Sequence, residues 1–162
     1  MGARIVAVPV DDAGIAVESF IRRRAKWAYV TPSHQYPTGV VLSLERRIAL
    51  LDWAARHDAW IVEDDHDSEF NYTGNPQPAL HTLDNAGRVF YLATFSKVLA
   101  PALRLEYVVI PDALVSGFMA AQQVTGAQPS SLLQTAMASF TERGYFGRHI
   151  AKMRRIYDAA AS

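Results

Sequence analysis

The sequence predicts an α/β fold, a three-layer sandwich in which a largely parallel sheet is covered by helices on both faces. Short runs rich in β-branched and aromatic residues alternate with longer segments whose apolar residues recur at helical spacing. This alternation is typical of a parallel sheet with helices on either side. After Pro111 the pattern is helical throughout.

The boundaries of the elements follow from turn formers and capping residues. Strands are predicted over residues 4–10, 27–31, 59–62, 88–93 and 104–110. Helices are predicted over residues 15–25, 44–56, 113–124, 131–143 and from 147 to the end. Ser43 is the expected N-cap of the second helix. The apolar face of that helix is predicted to consist of Leu44, Ile48, Leu50 and Leu51.

Composition excludes several classes of protein. The 162 residues are half hydrophobic and contain no cysteine, which excludes a disulfide framework, a thiolate metal site and a thiol nucleophile. Sixteen basic residues balance sixteen acidic ones, so direct contact of this chain with DNA is not expected. No apolar run approaches the ~18 residues that span a bilayer. We therefore expect a cytoplasmic protein without membrane contact.

One lysine stands out by its surroundings. Lys97 follows the apolar run 89–93, with hydroxyls at Thr94 and Ser96 and a guanidinium at Arg104. A lysine amine forms a Schiff base with a carbonyl, while hydroxyls and a guanidinium bind phosphate. The alternative is a solvated lysine at the end of a strand.

Three loops follow predicted strands and are expected at the same edge of the sheet, where parallel α/β folds bind ligands. They cover residues 32–39, 63–70 and 94–104. The second loop contains Glu63, Asp64, Asp65, His66, Asp67 and Glu69. These are possible metal ligands, but alternate residues of a strand point to opposite faces, so only two or three of them can converge.

Pyridoxal phosphate accounts for the same residues in another way. Its aldehyde reacts with a lysine, its phosphate binds hydroxyls and an arginine, and a carboxylate keeps its pyridine nitrogen protonated. The chain carries all three kinds of partner on loops at strand ends.

Four motifs also resemble a known family. The chain is similar to the aminotransferase-like domain of the MocR/GabR group of GntR-family bacterial regulators. More broadly, it resembles the fold-type-I, class I/II pyridoxal-phosphate-dependent aminotransferases. The motifs are YVTPSHQYPTG (29–39), EDDHDSEF (63–70), TFSKVL (94–99) and ALRL (102–105).

The resemblance implies a role for each matching residue. Lys97 corresponds to the lysine that forms the internal aldimine with pyridoxal 5'-phosphate, and is the implied catalytic residue. Asp64 corresponds to the aspartate paired with the pyridine nitrogen. Arg104, Thr94 and Ser96 correspond to the phosphate-binding set.

Three positions mark the subgroup or depart from the family. Tyr36 replaces the asparagine of the N-P-T-G turn, as an aromatic residue commonly does in the MocR-like group. His66 replaces a tyrosine that donates to the cofactor's ring hydroxyl, and its imidazole is also a donor. Glu106 replaces a glycine, and if the strand is regular it shares a face with Arg104 and competes for it.

The resemblance also predicts the organisation of the chain. Residues 1–145 are expected to form part of the cofactor-binding large domain, truncated at both ends, and residues 146–162 to begin the long helix leading to the small domain. A homodimer or a partner chain would complete the fold. The main interpretation is an effector domain of a transcriptional regulator that senses an amino acid or amine. The alternatives are a working aminotransferase and a cofactor-free structural or interaction module.

Overall fold

The chain is built around a twisted, mostly parallel sheet. The structure is a computed structural model that describes residues 2–65, 77–126 and 128–161. The strands are β1 (Val10–Asp11), β2 (Gly14–Ile15), β3 (Trp27–Val30), β4 (Trp60–Asp65), β5 (Val89–Thr94) and β6 (Glu106–Val109). The helices are α1 (Glu18–Ile21), α2 (Leu44–Arg56), α3 (Leu80–Leu83), α4 (Phe95–Val98), α5 (Val115–Thr125), α6 (Ser131–Glu142) and α7 (Tyr145–Ala161). Short 3-10 turns cover Pro101–Leu103 and Asp112–Leu114.

The main sheet has the strand order β3-β4-β5-β6. β3, β4 and β5 are parallel, and β6 runs antiparallel to β5. In this register Val62 lies between Tyr29 on one side and Phe90 on the other. β1 and β2 form a separate antiparallel pair. The predicted α/β fold with a mostly parallel sheet is confirmed.

One face of the sheet, which we call the α2 face, supplies most of the core. Its residues Ala28, Ile61 and Val89 are at most 1% exposed, and they pack in one cluster with Leu50 and Trp53 of α2. Burying each large side chain contributes on the order of 2 kcal/mol. This layer therefore fixes the orientation of the strands.

The opposite face, which we call the cleft face, is more open. Because side chains alternate along a strand, Tyr29, Asp64 and Thr94 belong to this face. A cleft of about 790 Å³ lies between it and the start of α5. The cleft is lined mainly by apolar side chains, among them Trp27, Val62, Phe90, Leu92, Leu114 and Phe118.

The buried face of helix α2 consists largely of other residues than the sequence predicts. Its predicted N-cap is confirmed, since the Ser43 side chain accepts the N–H of Arg46 at 3.4 Å. The assignment of Leu44 and Ile48 to the buried face is wrong, because they are 43% and 50% exposed. The buried residues of the helix are Arg47, Leu50, Trp53 and Ala54. An arginine occupies the inner face because acceptors are available for it there.

Arg47 is 1% exposed, and its guanidinium is surrounded by oxygen atoms. It donates to the backbone carbonyls of Leu42 at 2.9 Å, Pro32 at 2.8 Å and Pro78 at 3.1 Å. Its Nη1 also lies 3.9 Å from the Glu63 carboxylate. A buried arginine requires such partners, since each unpaired N–H would cost free energy.

Glu63 connects the strand to the next helix. Its carboxylate accepts the backbone N–H of Leu80 at 2.8 Å and of His81 at 2.9 Å. Burial raises the pKa of Glu63, while these two donors and the Arg47 charge act to lower it. Burial likewise lowers the pKa of Arg47, and the charges of Glu63 and Asp65 oppose that effect. The hydrogen bonds to Glu63 and the mutual attraction of the two charges therefore oppose the neutralisation that burial favours.

The remaining predicted elements differ mainly at their ends. The strand predicted over residues 4–10 is wrong, because residues 2–9 have no ladder partner and only Val10–Asp11 pairs. The helix predicted over residues 15–25 is reduced to α1. The other strands and the long helices are confirmed within a few residues, and the short helices α3 and α4 were not predicted. In the described part of the chain, no helix has the length and apolarity needed to cross a bilayer.

Replacing Arg47 with glutamine is expected to lower the free energy of unfolding by about 3–5 kcal/mol, because a buried carboxylate then loses its cation. Urea unfolding of the purified chain measures this. Arg56→Gln is the matched control, since Arg56 forms an exposed pair with Asp52 at 3.1 Å. Its expected cost is below about 1 kcal/mol. Equal costs for the two variants would contradict the anchoring role of Arg47.

Candidate functional site

The carboxylates at the end of β4 point in different directions. Glu63 and Asp65 lie on the α2 face and are buried, whereas Asp64 lies on the cleft face. Asp65 accepts a hydrogen bond from the hydroxyl of Tyr91 at 2.7 Å. Asp64 is thereby separated from its two neighbours. This arrangement argues against a metal centre built on these three adjacent carboxylates.

Asp64 has a partner on the neighbouring strand. The hydroxyl of Tyr29 donates a hydrogen bond to the Asp64 carboxylate. Partial removal of the hydroxyl from water, together with the hydrogen bond to Asp64 and the charge of that carboxylate, raises the pKa of Tyr29 to about 12. Tyr29 was not among the sequence-predicted site residues. Only the parallel register, which pairs Tyr29 with Val62 two residues before Asp64, brings the two together.

Lys97 lies in a short, capped turn directly after β5. The Thr94 side chain accepts the backbone N–H of Ser96 at 3.1 Å, which makes Thr94 the N-cap of α4. The Lys97 side chain is exposed, while the next residue, Val98, is 3% exposed and holds the turn against the protein. The cap turns the chain from β5 into α4 three residues before Lys97.

Arg104 follows the 3-10 turn and adopts a left-handed backbone, with φ 44° and ψ 41°. Its side chain is exposed. The backbone N–H of Phe95 donates to the carbonyl of Leu105 at 2.9 Å, which ties the arginine segment to the Lys97 turn. β6 begins only at Glu106, whose partner in the ladder is Thr94.

The expected competition between Glu106 and Arg104 lacks its structural basis. A regular strand from 104 to 106 would place both side chains on one face, but the left-handed conformation of Arg104 breaks that alternation. Within the described residues, no hydrogen bond or ion pair joins the two side chains. Their proximity in sequence therefore does not make them partners here.

Tyr36, a further predicted site residue, is not brought to this group. Tyr36 lies in the turn after β3, follows the bridge residue Gln35 and precedes a cis peptide bond to Pro37. Its side chain is 81% exposed and has no polar or ring contact to Asp64 or Lys97 in the part of the chain that the structure describes. His66 lies outside the described residues.

The donors in segment 94–104 fit a ligand that carries a phosphate and a carbonyl. The Ser96 hydroxyl, the Lys97 ammonium and the Arg104 guanidinium have no hydrogen-bond or ion-pair partner among residues 2–65, 77–126 and 128–161. Asp64 offers an oriented carboxylate on the cleft face, one strand away from Thr94. Cations and hydroxyls on one side and a carboxylate on the other match the two ends of pyridoxal phosphate.

The Tyr29–Asp64 contact predicts a pH dependence of stability. Because folding raises the pKa of Tyr29 from its ordinary value of 10 to about 12, its stabilising contribution is complete below pH 10 and is lost as the pH rises through 12. The difference in unfolding free energy between the wild type and Tyr29→Phe should therefore shrink from pH 9 to pH 11. Urea unfolding at both values measures it.

The same comparison in an Asp64→Asn background provides the control. Asparagine keeps an acceptor oxygen but lacks the negative charge that favours the neutral phenol, so the pKa of Tyr29 in the folded protein should fall toward its ordinary value and the shrinkage from pH 9 to pH 11 should be smaller. If the stabilisation by Tyr29 shrinks equally in the two backgrounds between pH 9 and pH 11, Asp64 does not control the protonation of Tyr29.

Known proteins similar to this chain fall into two groups. Among curated regulators, the probable rhizopine catabolism regulatory protein MocR of Rhizobium meliloti is 46% identical over 96% of the chain. The uncharacterized HTH-type transcriptional regulator YdeL of Bacillus subtilis is 41% identical over 94% of it. The chain covers 32% and 33% of these two proteins, so it spans about a third of their length.

The second group consists of aminotransferases of known structure. The kynurenine aminotransferase of Pyrococcus horikoshii, solved with PMP, superposes with a TM-score of 0.87 at 34% identity. That match covers 95% of this chain and 40% of the enzyme. The family profile described as aminotransferase class I and II matches residues 7–161. The chain therefore belongs to the class I and II aminotransferase family, whose cofactor is pyridoxal 5'-phosphate.

Proposed function

We propose that this chain is the cofactor-holding part of an effector domain in a MocR-type transcriptional regulator. The observation that carries the proposal is the set of unpartnered donors at Ser96, Lys97 and Arg104 within the described residues, presented from one capped segment beside Asp64. The 46% identity to a MocR regulator supports the regulatory context. Since the chain spans about a third of such proteins, the function of the whole protein is part of the proposal.

Each residue has a defined task in this proposal. When bound, pyridoxal phosphate supplies a reactive aldehyde and an electron-withdrawing ring. The Lys97 amine would condense with the aldehyde and release water, and the Arg104 guanidinium with the hydroxyls of Thr94 and Ser96 would hold the phosphate. The Asp64 carboxylate, oriented by Tyr29, keeps a proton on the ring nitrogen.

Two residues complete the cofactor-binding set. His66 would donate to the ring hydroxyl of the cofactor, and Tyr36 is assigned to the set by its place in the family motif, in the turn after β3. Both tasks depend on the family resemblance rather than on a contact within the chain. The same proposal gives residues 1–145 to the large domain and residues 146–162 to the start of the long helix.

The partners are inferred from the same chemistry. The ligand sensed would be an amino acid or an amine, because a primary amine can take the place of the Lys97 amine at the aldehyde carbon and release the lysine. A second copy or another chain completes the fold, DNA is contacted elsewhere in the regulator, and the protein acts in the cytoplasm. The cleft face, with its apolar lining and exposed Trp27, supports the need for a further covering layer.

Lys97→Ala is expected to abolish covalent attachment of pyridoxal phosphate. Wild-type chain incubated with the cofactor should develop an absorbance band that borohydride makes permanent, and mass spectrometry should place the label on Lys97. Lys152→Ala, which removes an exposed lysine on α7, is the matched control and should label like the wild type. A band that survives Lys97→Ala would refute the assignment.

Asp64→Asn tests the other end of the cofactor in the same assay. Loss of the carboxylate removes the partner of the ring nitrogen, so affinity for pyridoxal phosphate should fall at least tenfold. Asp52→Asn, an equal change at an exposed position on α2, should leave affinity unchanged. An unaltered affinity in Asp64→Asn would contradict its role.

A working aminotransferase is the second candidate. It is favoured by the TM-score of 0.87 to an enzyme that acts on kynurenine. The two candidates differ in the fate of the bound amino acid: a sensor is expected to bind it without releasing a keto acid, whereas an enzyme releases one. Rapid mixing of cofactor-loaded protein with amino acids, coupled to keto-acid detection, distinguishes them. Release at rates above about 1 s⁻¹ would favour the enzyme.

A further inference from the structure

Helix α7 reaches back to the turn that carries Lys97. The His149 ring nitrogen Nε2 lies 2.8 Å from the backbone carbonyl oxygen of Val98, the residue directly after the lysine. One turn earlier on α7, the ring of Phe146 packs edge-on against Phe95, with centroids 5.5 Å apart. Both contacts bridge about fifty residues of sequence.

The hydrogen bond supports an element that is weak by itself. α4 is a single turn of four residues, and a helix this short has no appreciable stability of its own in water. The last carbonyls of any helix lack partners within it. Because a carbonyl only accepts, Nε2 of His149 must be the protonated nitrogen that donates. The histidine thus satisfies an oxygen that α4 leaves unpaired.

The position of the bond determines what it controls. Val98 is 3% exposed and is the only fully buried residue of α4, so it is the point at which the turn is fixed. Lys97 precedes it and is exposed. The Val98 carbonyl begins the peptide unit that follows Val98, and Lys97 lies in the unit before it, so a contact that holds this carbonyl acts one residue away from the lysine backbone.

We propose that His149 is a positioning residue for Lys97 and that it couples the location of α7 to the cofactor site. Displacement of α7 removes the His149 donor, loosens α4 and lowers the fraction of Lys97 that carries cofactor. In the other direction, attachment of the cofactor to Lys97 favours the position of α7 in which His149 contacts Val98. The coupling to the cofactor rests on the proposed function, whereas the support of α4 by His149 does not.

The first test uses the chain without cofactor. In His149→Leu, hydrogen exchange of the Leu99 amide, which donates to the Phe95 carbonyl at 2.9 Å, should accelerate about tenfold. Amides of α2 should keep their wild-type rates. His149→Gln should restore slow exchange, because its side-chain amide N–H reaches the same carbonyl. Lys152→Gln, on the exposed side of α7, should exchange like the wild type.

The second test adds pyridoxal phosphate. His149→Leu should weaken attachment at Lys97 about tenfold, again with rescue by His149→Gln. Unchanged Leu99 exchange, or acceleration that spreads equally to α2, would overturn the positioning role. If the wild type binds pyridoxal phosphate and His149→Leu binds it with the same affinity, the coupling is overturned. If the wild type binds no cofactor while Leu99 exchange still responds, the proposed function fails and the support of α4 stands.

Discussion

The buried pair of Arg47 and Glu63 is the constraint on which the rest of the structure depends. It joins α2, β4, the segment after β3 and the start of α3 through hydrogen bonds to main-chain atoms. Since side chains alternate along β4, burying Glu63 on the α2 face leaves Asp64 on the cleft face. A structural ion pair therefore sets the direction of the neighbouring carboxylate. A shift of β4 by one residue would exchange the faces on which Glu63 and Asp64 lie.

The contacts of Thr94 bring the Lys97 turn, the other end of the candidate site from Asp64, to the same edge of the sheet. Thr94 ends β5, caps α4 and faces Glu106 across the ladder, so one residue links strand, helix and the arginine segment. The Lys97 turn is supported on one side by α7 and on another by the Phe95–Leu105 hydrogen bond. Short elements that would not persist alone are held here by contacts distant in sequence.

The sequence predicts the alternation of strands and helices well, and it selects Lys97 as a candidate site residue, because apolar periodicity and local motifs are properties of neighbouring residues. It does not predict the burial of Arg47, since a hydrophobic pattern assigns arginine to the surface. Nor does it find the Tyr29–Asp64 contact, which depends on strand register. The strand expected before Val10 is absent for a related reason: β propensity becomes a strand only where a partner is available.

The left-handed backbone of Arg104 has a consequence for how this position responds to selection. Glycine adopts such a conformation freely, whereas a residue with a Cβ pays about 1–2 kcal/mol for it. A chain that kept this fold but had no anion to bind would become more stable by exchanging the arginine for glycine. Backbone stability and the proposed binding of phosphate thus act in opposite directions at this residue.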